Sequence, residues 1–349
     1  MEQEAVTRVA VLGCGFWAQF QIAAWHELPG VRVVALYNRT LSKANVLATR
    51  FGIPSENCFD DADELLAKLA GQIDVVDIIT DVDTHARFTE LAARHKLDVI
   101  CQKPMAPMLS QARVMVKACR DAGVRLFVHE NWRFQHPILE VKRVVNSGVL
   151  GDIFRARIDM VSGFEVFANQ PFLGELDQFI LTDMGSHILD VARSLFGEAQ
   201  ALTCHTMKVH PQIKGEDCAT VLMNMGPVSV SVNLGYSGSH YRDECFPQTT
   251  MLIEGSKGTL RLDPEYRLSI TLADGTHTRR VAPPRYAWAD PQYDVVHASI
   301  VECNRDLIAA LKGQSPAQTT AADNLRTVNL VFAAYESART GRTVTPALD

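Results

Sequence analysis

Between residues 8 and 128, short and almost uninterrupted apolar runs alternate with amphipathic stretches of helical length, and few folds accommodate that rhythm. The runs fall at 8–12, 31–36, 74–79, 98–101 and 125–128, with helical patterns between them at 16–28, 41–51, 84–95 and 110–122. A strand that is apolar along its whole length has no solvent face. It belongs to a parallel sheet covered on both sides by the helices that connect its strands. Right-handed crossovers then predict a doubly wound α/β domain.

The pattern changes after Asn131. A helical stretch at 138–146 stops before Gly148, a strand follows at 151–161, and a second helical stretch runs over 181–196. From 201 to 281 the chain reads as antiparallel strands separated by turn signals at Met225-Gly226-Pro227, Gly255-Ser256-Lys257-Gly258 and Asp274-Gly275. Helical patterns at 294–311 and 321–340 close the chain. Grouped strands flanked by helices predict an α+β domain with an open, mostly antiparallel sheet. At about 150 residues per domain, 349 residues suit two domains, here read as 1–128 and 129–349.

Composition removes several classes of function. The hydrophobic share is 47% and the charged share 21%, which suits a packed globule rather than a disordered chain. A net charge of −6 offers no basic footprint for nucleic acid or an anionic membrane surface. The 8 cysteines form no C-x-x-C pair, which speaks against a zinc ribbon or a dithiol redox motif. No apolar run approaches the ~20 residues a bilayer span requires. Residues 1–7 carry two glutamates and no apolar core, so no secretory signal is expected; with so many free thiols, a reducing cytoplasm is the expected location.

The first chemical motif is Gly13-Cys14-Gly15-Phe16-Trp17-Ala18, between the first strand and the first helix. Gly13 allows the tight turn, Gly15 lets the backbone approach a pyrophosphate, and Ala18 permits close packing of helix on strand. Phe16 and Trp17 either flank the cofactor or pack on the sheet. The second strand runs into Tyr37-Asn38-Arg39-Thr40, without the acid that selects NAD by binding both ribose hydroxyls. Asn38 is still able to bind hydroxyls, and Arg39 to stack on adenine or meet a 2′-phosphate, so NAD is expected and NADP stays open. Thr80 and Asp81 follow the strand at 74–79, where a parallel sheet places its ligands. His85 reads as a surface or capping residue. Gln102-Lys103-Pro104 ends the next strand and also borders the cofactor crevice, with Lys103 placed to meet a substrate hydroxyl.

In the second half, Asp183-Met184-Gly185-Ser186-His187 places a carboxylate four residues before an imidazole, on one helical face. That pairing fixes the ring's tautomer and raises its basicity, as general-base chemistry requires. Gly185 between them predicts a close neighbour, and Asp190 is expected to pair with Arg193. Asn131, Arg133 and Gln178 are candidate contacts for substrate hydroxyls. No second histidine stands at ligand spacing, so no metal site is expected.

In this order the three motifs resemble the Gfo/Idh/MocA oxidoreductase family, and the resemblance extends over essentially the whole chain, through 322–327, 333–338 and 340–343. The family's E-K-P motif corresponds to Gln102-Lys103-Pro104 and its D-x-G-x-H-x-x-D motif to Asp183, Gly185, His187 and Asp190. The resemblance implies a nucleotide-binding Rossmann domain and a sheet-bearing domain that often forms the oligomer interface, hence a homodimer or homotetramer. It also implies Lys103 and His187 at the reacting hydroxyl of a sugar or polyol, with Asp183 in support. Gln102 in place of the usual Glu removes a charge beside Lys103, which is expected to lower that lysine's pKa. With Asn131-Trp132-Arg133 and 169–172, the variant is similar to a subgroup acting on free sugars, implying oxidation of the anomeric hydroxyl of a pentose such as D-apiose to a lactone. Two other readings are an NAD-dependent glycoside hydrolase of the same family and a non-enzymatic dinucleotide sensor.

Overall fold

The computed structural model describes residues 6–236 and 249–348, so Cys245 lies outside the described residues. These fall into two compact units, Met1–Glu130 with Ile300–Leu325, and Asn131–Ser299 with Arg326–Asp349.

The first unit carries β1 (Thr7–Leu12), α1 (Ala18–His26), β2 (Val31–Tyr37), α2 (Leu41–Phe51), β3 (Cys58–Phe59), α3 (Ala62–Lys68), β4 (Val75–Ile78), α4 (His85–Arg94), β5 (Asp98–Gln102), α5 (Leu109–Ala122) and β6 (Leu126–His129). Its six strands lie in the order β3-β2-β1-β4-β5-β6, and every pair is parallel. Val9 to Leu12 of β1 and all of β4 are buried, as strands covered on both faces must be. The strand order reverses between β1 and β4, and ligands of such sheets bind at the carboxyl ends of the strands at that reversal.

Two elements escape the hydrophobic periodicity. β3 has only two residues, too few to show a period. α3 has seven, and is announced by its cap: the Asp61 carboxylate accepts from the Asp63 and Glu64 amides at 2.8 and 3.0 Å.

The second unit contains α6 (His136–Asn146), β7 (Ile153–Val161), α7 (Val166–Asn169), α8 (Ser186–Phe196), β8 (Ala201–Met207), β9 (Cys218–Met225), β10 (Val228–Gly235), β11 (Thr250–Gly255), β12 (Thr259–Asp263), β13 (Arg267–Leu272) and β14 (Gly275–Arg280). Its eight-stranded sheet has the order β14-β13-β12-β11-β7-β10-β9-β8, antiparallel except where β7 meets β10. β9 alternates buried and exposed residues, the mark of a sheet packed on one face. Two further helices follow, α9 (Asp294–Leu311) and α10 (Ala321–Thr340). No helix among the described residues is long and apolar enough to cross a membrane.

A carboxylate interrupts the first unit's core. Asp77 of β4 is fully buried, and its Oδ2 accepts from Trp25 Nε1 at 2.8 Å and Gln21 Nε2 at 3.0 Å. Gln21 Nε2 also reaches Asn304 Oδ1 at 3.1 Å, an oxygen 2.9 Å from His129 Nε2. Desolvation outweighs the two donated bonds and pushes the Asp77 carboxyl up to about 7.

Unfolded, this group ionises near 3.8; folded, it keeps its proton to about 7. Its contribution to stability is therefore complete at low pH and is lost as pH rises through that window, on the order of 4 kcal/mol in all. Asp77→Asn cannot ionise. Urea unfolding from about pH 5 to 8 should show the variant gaining on the wild type as pH rises. Parallel stability profiles would mean that Asp77 is already ionised in the native core.

Candidate active site

At the end of β1 the chain must cross the end of β4. Gly13 does so at φ +110°, and a Cβ there would stand 2.6 Å from the Ile79 carbonyl oxygen and 2.9 Å from the Thr80 nitrogen. Only glycine tolerates both the dihedral and the approach. The Gly13 amide donates to Tyr37 O at 2.8 Å, tying the loop to β2. At Gly15 an added Cβ would meet nothing within 4 Å, so the loop is open where a pyrophosphate would need to come close. Ala18 is fully buried at the start of α1, whose first-turn amides are the donors such a loop offers to phosphate. Tight turn, open cradle and helix start together fit a dinucleotide.

Asn38 has a structural task in the loop that its place in the sequence does not announce. Its Oδ1 accepts from the Cys14 amide at 3.0 Å and its Nδ2 donates to Thr40 O at 3.0 Å, so it locks the glycine loop to the end of β2. Arg39 is the exposed group at that end, 3.9 Å from Asp81, with both side chains at least 80% exposed; a pair so solvated contributes little. Phe16 is 78% exposed and packs edge-on against Phe20, as does the half-buried Trp17. Thr80 accepts from Thr84 Oγ1 at 2.7 Å. Burial pushes the Cys14 thiol up to about 12, so it stays neutral in the loop.

Lys103 follows directly on β5 and is half-buried, and Gln102 Nε2 lies 3.5 Å from Gln21 Oε1. His85 corrects the sequence reading. It is neither on the surface nor a cap, but 1% exposed at the start of α4, a position that a helical pattern alone does not reveal.

In the second unit the expected helix over 181–196 is two structures. Leu181–Gly185 forms a π-helical turn and α8 follows from Ser186. Such turns are rare and recur at functional sites. Asp183 sits within the turn, and His187 is buried in the first turn of α8. Glu216 braces the segment. Its Oε1 accepts from the Phe179 amide at 3.2 Å and from the Tyr335 hydroxyl at 2.9 Å, and that hydroxyl in turn accepts from the Thr182 amide at 3.1 Å. A Cβ on Gly185 would touch Leu181 and Leu234 of β10 at 3.4 Å, the close neighbour its presence predicted.

Trp132 stacks on His187, with ring centroids 4.3 Å apart and planes 26° apart, and its Nε1 donates to Thr249 Oγ1 at 3.2 Å. No sequence spacing joins residues 132 and 187, so this contact was invisible beforehand. Asp190 is also corrected. Its two oxygens accept from Arg133 Nε and Nη2 at 2.7 and 2.5 Å and from Thr327 Oγ1 at 2.9 Å, whereas Arg193 stands at 3.8 Å and serves Glu198 and Thr327. Arg133 is thereby a buried partner of Asp190. Asn131 is likewise buried and donates to Ser299 Oγ at 2.7 Å; Gln178 is exposed.

The chain matches two family models in succession. Residues 7–130 fit the oxidoreductase family with an NAD-binding Rossmann fold, and residues 138–261 the GFO/IDH/MocA C-terminal domain. It is 43% identical over 337 residues to a D-apiose dehydrogenase of Paraburkholderia graminis, covering 96% of this chain and 88% of that protein. It is 41% identical, with 96% of each chain covered, to a D-apiose dehydrogenase of Rhizobium rhizogenes. Among solved structures, an oxidoreductase from Agrobacterium radiobacter in complex with NAD+, L-tartaric acid and magnesium superposes with a TM-score of 0.92 at 39% identity, over 97% of this chain and 98% of that one.

Gly13→Ala should lower stability by about 1–3 kcal/mol and remove measurable NAD+ binding in calorimetry, because the loop must retreat from Ile79; wild-type affinity would show that the loop does not hold the dinucleotide. Arg133→Met leaves the Asp190 carboxylate buried without its main partner and should cost about 3–5 kcal/mol in urea unfolding, most of it recovered by adding Asp190→Leu. A single variant within 1 kcal/mol of wild type would show that the pair contributes little.

Proposed function

The chain belongs to the Gfo/Idh/MocA oxidoreductase family, and from that membership we propose that it oxidises the anomeric hydroxyl of D-apiose to the lactone with NAD+ as acceptor. The observation that carries this reading is the likeness to two D-apiose dehydrogenases at 43% and 41% identity over nearly the whole chain. The same likeness favours a dehydrogenase over an NAD-dependent hydrolase or a sensor. The glycine loop, open at Gly15, supports the dinucleotide. Its bound nicotinamide supplies the two-electron acceptor for the hydrogen leaving the anomeric carbon.

The protein's own part is proton handling and placement. His187 takes the hydroxyl proton as the carbon–oxygen double bond forms, and the Trp132 face against its ring limits rotation of the imidazole. Asp183, in the braced π turn, supports the ring in its charged form. Lys103 donates to the same oxygen and steadies the charge developing there. Gly13, Gly15, Phe16, Trp17, Thr80, Asp81 and Gln102 border the dinucleotide, with Arg39 at its adenosine end and Asn38 acting through the loop it locks. Gln178 is exposed to meet the other hydroxyls of the sugar.

Assembly and location complete the proposal. The outer face of the eight-stranded sheet exposes Leu222 at 53% among serine, threonine and arginine side chains, a face suited to pairing with a second copy. Thiols such as those of the buried Cys14 and Cys101 suit a reducing cytoplasm.

The test is NADH formation from D-apiose beside other pentoses, hexoses and inositols, in wild type, His187→Ala and Lys103→Met, at saturating NAD+. D-Apiose should give the highest kcat/KM, and His187→Ala should lower kcat on the order of 10²–10⁴-fold. Wild-type turnover in that variant removes His187 as the base, and no signal from any sugar removes the proposed substrate class.

A further inference from the structure

His85 is one of the most enclosed polar side chains of the first unit, at 1% exposure. A leucine or phenylalanine would fill that space without the penalty of burying a polar ring, so the imidazole needs a reason. Its surroundings supply one. Nε2 lies 3.0 Å from the Thr80 carbonyl oxygen, and Nδ1 lies 3.2 Å from that of Pro104 and 3.3 Å from that of Met105. All three neighbours are acceptors only, and burial holds the ring's pKa below the usual imidazole value, so the neutral ring, with one N–H, donates to one of the two backbone segments it lies between.

The two segments are those that emerge from the carboxyl ends of adjacent parallel strands. Thr80 follows β4, and Pro104 and Met105 follow β5 directly after Lys103. Met105 and Ala106 are buried, which fixes the chain on the far side of the lysine, while Lys103 itself is half-buried with a long, flexible stem. The turn beneath it sets where that stem begins and in which direction it leaves the backbone.

We propose that His85 is a positioning residue for the oxidation: enclosed between the Thr80 carbonyl and those of Pro104 and Met105 and donating to one side, it fixes the turn that presents Lys103. This rests on the reading of Lys103 as the donor to the reacting hydroxyl. His85 touches neither sugar nor nucleotide in this role. It acts through the lysine, and its removal should lower kcat far more than it weakens NAD+ binding.

The experiment uses the full chain labelled with 13C-lysine, in which the Lys103 Cε signal is assigned by its loss in Lys103→Met. His85→Leu removes the donated bond, and His85→Gln keeps an N–H donor without the ring that fills the space; Gln serves alone if the Leu variant does not fold. The Lys103 signal should shift or broaden in either variant while other lysine signals stay. In His85→Leu, kcat should fall about 10–100-fold, as expected for misplacement of a reacting group by about an ångström. In a Lys103→Met background the same change should alter kcat less than about twofold, since partners acting as one unit are not additive. An unmoved Lys103 signal in a folded variant, or an equal loss of kcat with and without Lys103, overturns the proposal. Wild-type turnover in Lys103→Met would instead overturn the role given to that lysine, and the signal alone would then decide whether His85 holds the turn.

Discussion

The nucleotide-binding half depends on one close approach, the backbone of Gly13 against the Ile79–Thr80 peptide. Neighbouring parallel strands lie about 4.8 Å apart, and a chain leaving β1 has no room for a side chain as it passes the end of β4. Once that crossing is made, the remaining parts have defined places. The Gly13 amide is tied to Tyr37, Asn38 catches the Cys14 amide, and the segment after β4 meets His85. A substitution at Gly13 would move all three together. The departure at Asn38 has its sense here: an amide both accepts and donates, so it closes the loop onto β2, whereas a carboxylate only accepts.

The second unit solves a different problem, that of holding an imidazole and a carboxylate still in a largely apolar interior. Packing alone orients a ring poorly about its own axis, and polar groups supply what packing lacks. Trp132 presents a flat face to His187 and is itself tethered through Nε1 to Thr249. Glu216 and Tyr335 hold the residues around the π turn, and Arg133 holds Asp190 one turn further along α8. Buried ion pairs are weak sources of net stability but costly to break, so the Arg133–Asp190 pair holds α8 one turn beyond His187. The π turn adds to this by altering the direction of Asp183 relative to a regular helix.

Most of the first unit was legible because hydrophobic period and strand order follow from the same burial. β1, β2, β4, β5 and β6 appear where uninterrupted apolar runs fell, and the glycine loop sits at the reversal of strand order. What stayed hidden has physical causes. β3 is too short to carry a period, and a π turn differs from an α turn by a shift in hydrogen-bond register that leaves the residue pattern nearly unchanged. The partner of Asp190 was misread because Arg193 is near in sequence while Arg133 is near in space. His85 was misread because a lone histidine at a helix start looks polar and exposed until the two carbonyl-bearing segments it joins are seen. Local spacing reports neighbours within one element; partners set by the tertiary fold leave no period.

The proposed oxidation would move hydrogen from the anomeric carbon of the sugar to the nicotinamide of a dinucleotide whose pyrophosphate meets the Gly13–Gly15 loop. It is tested most directly with D-apiose carrying deuterium at C1, incubated with the enzyme and NAD+ and followed by mass spectrometry of both products. One deuterium at C4 of the reduced nicotinamide is expected for each lactone formed. Unlabelled NADH, or loss of the sugar without any reduced cofactor, would contradict it.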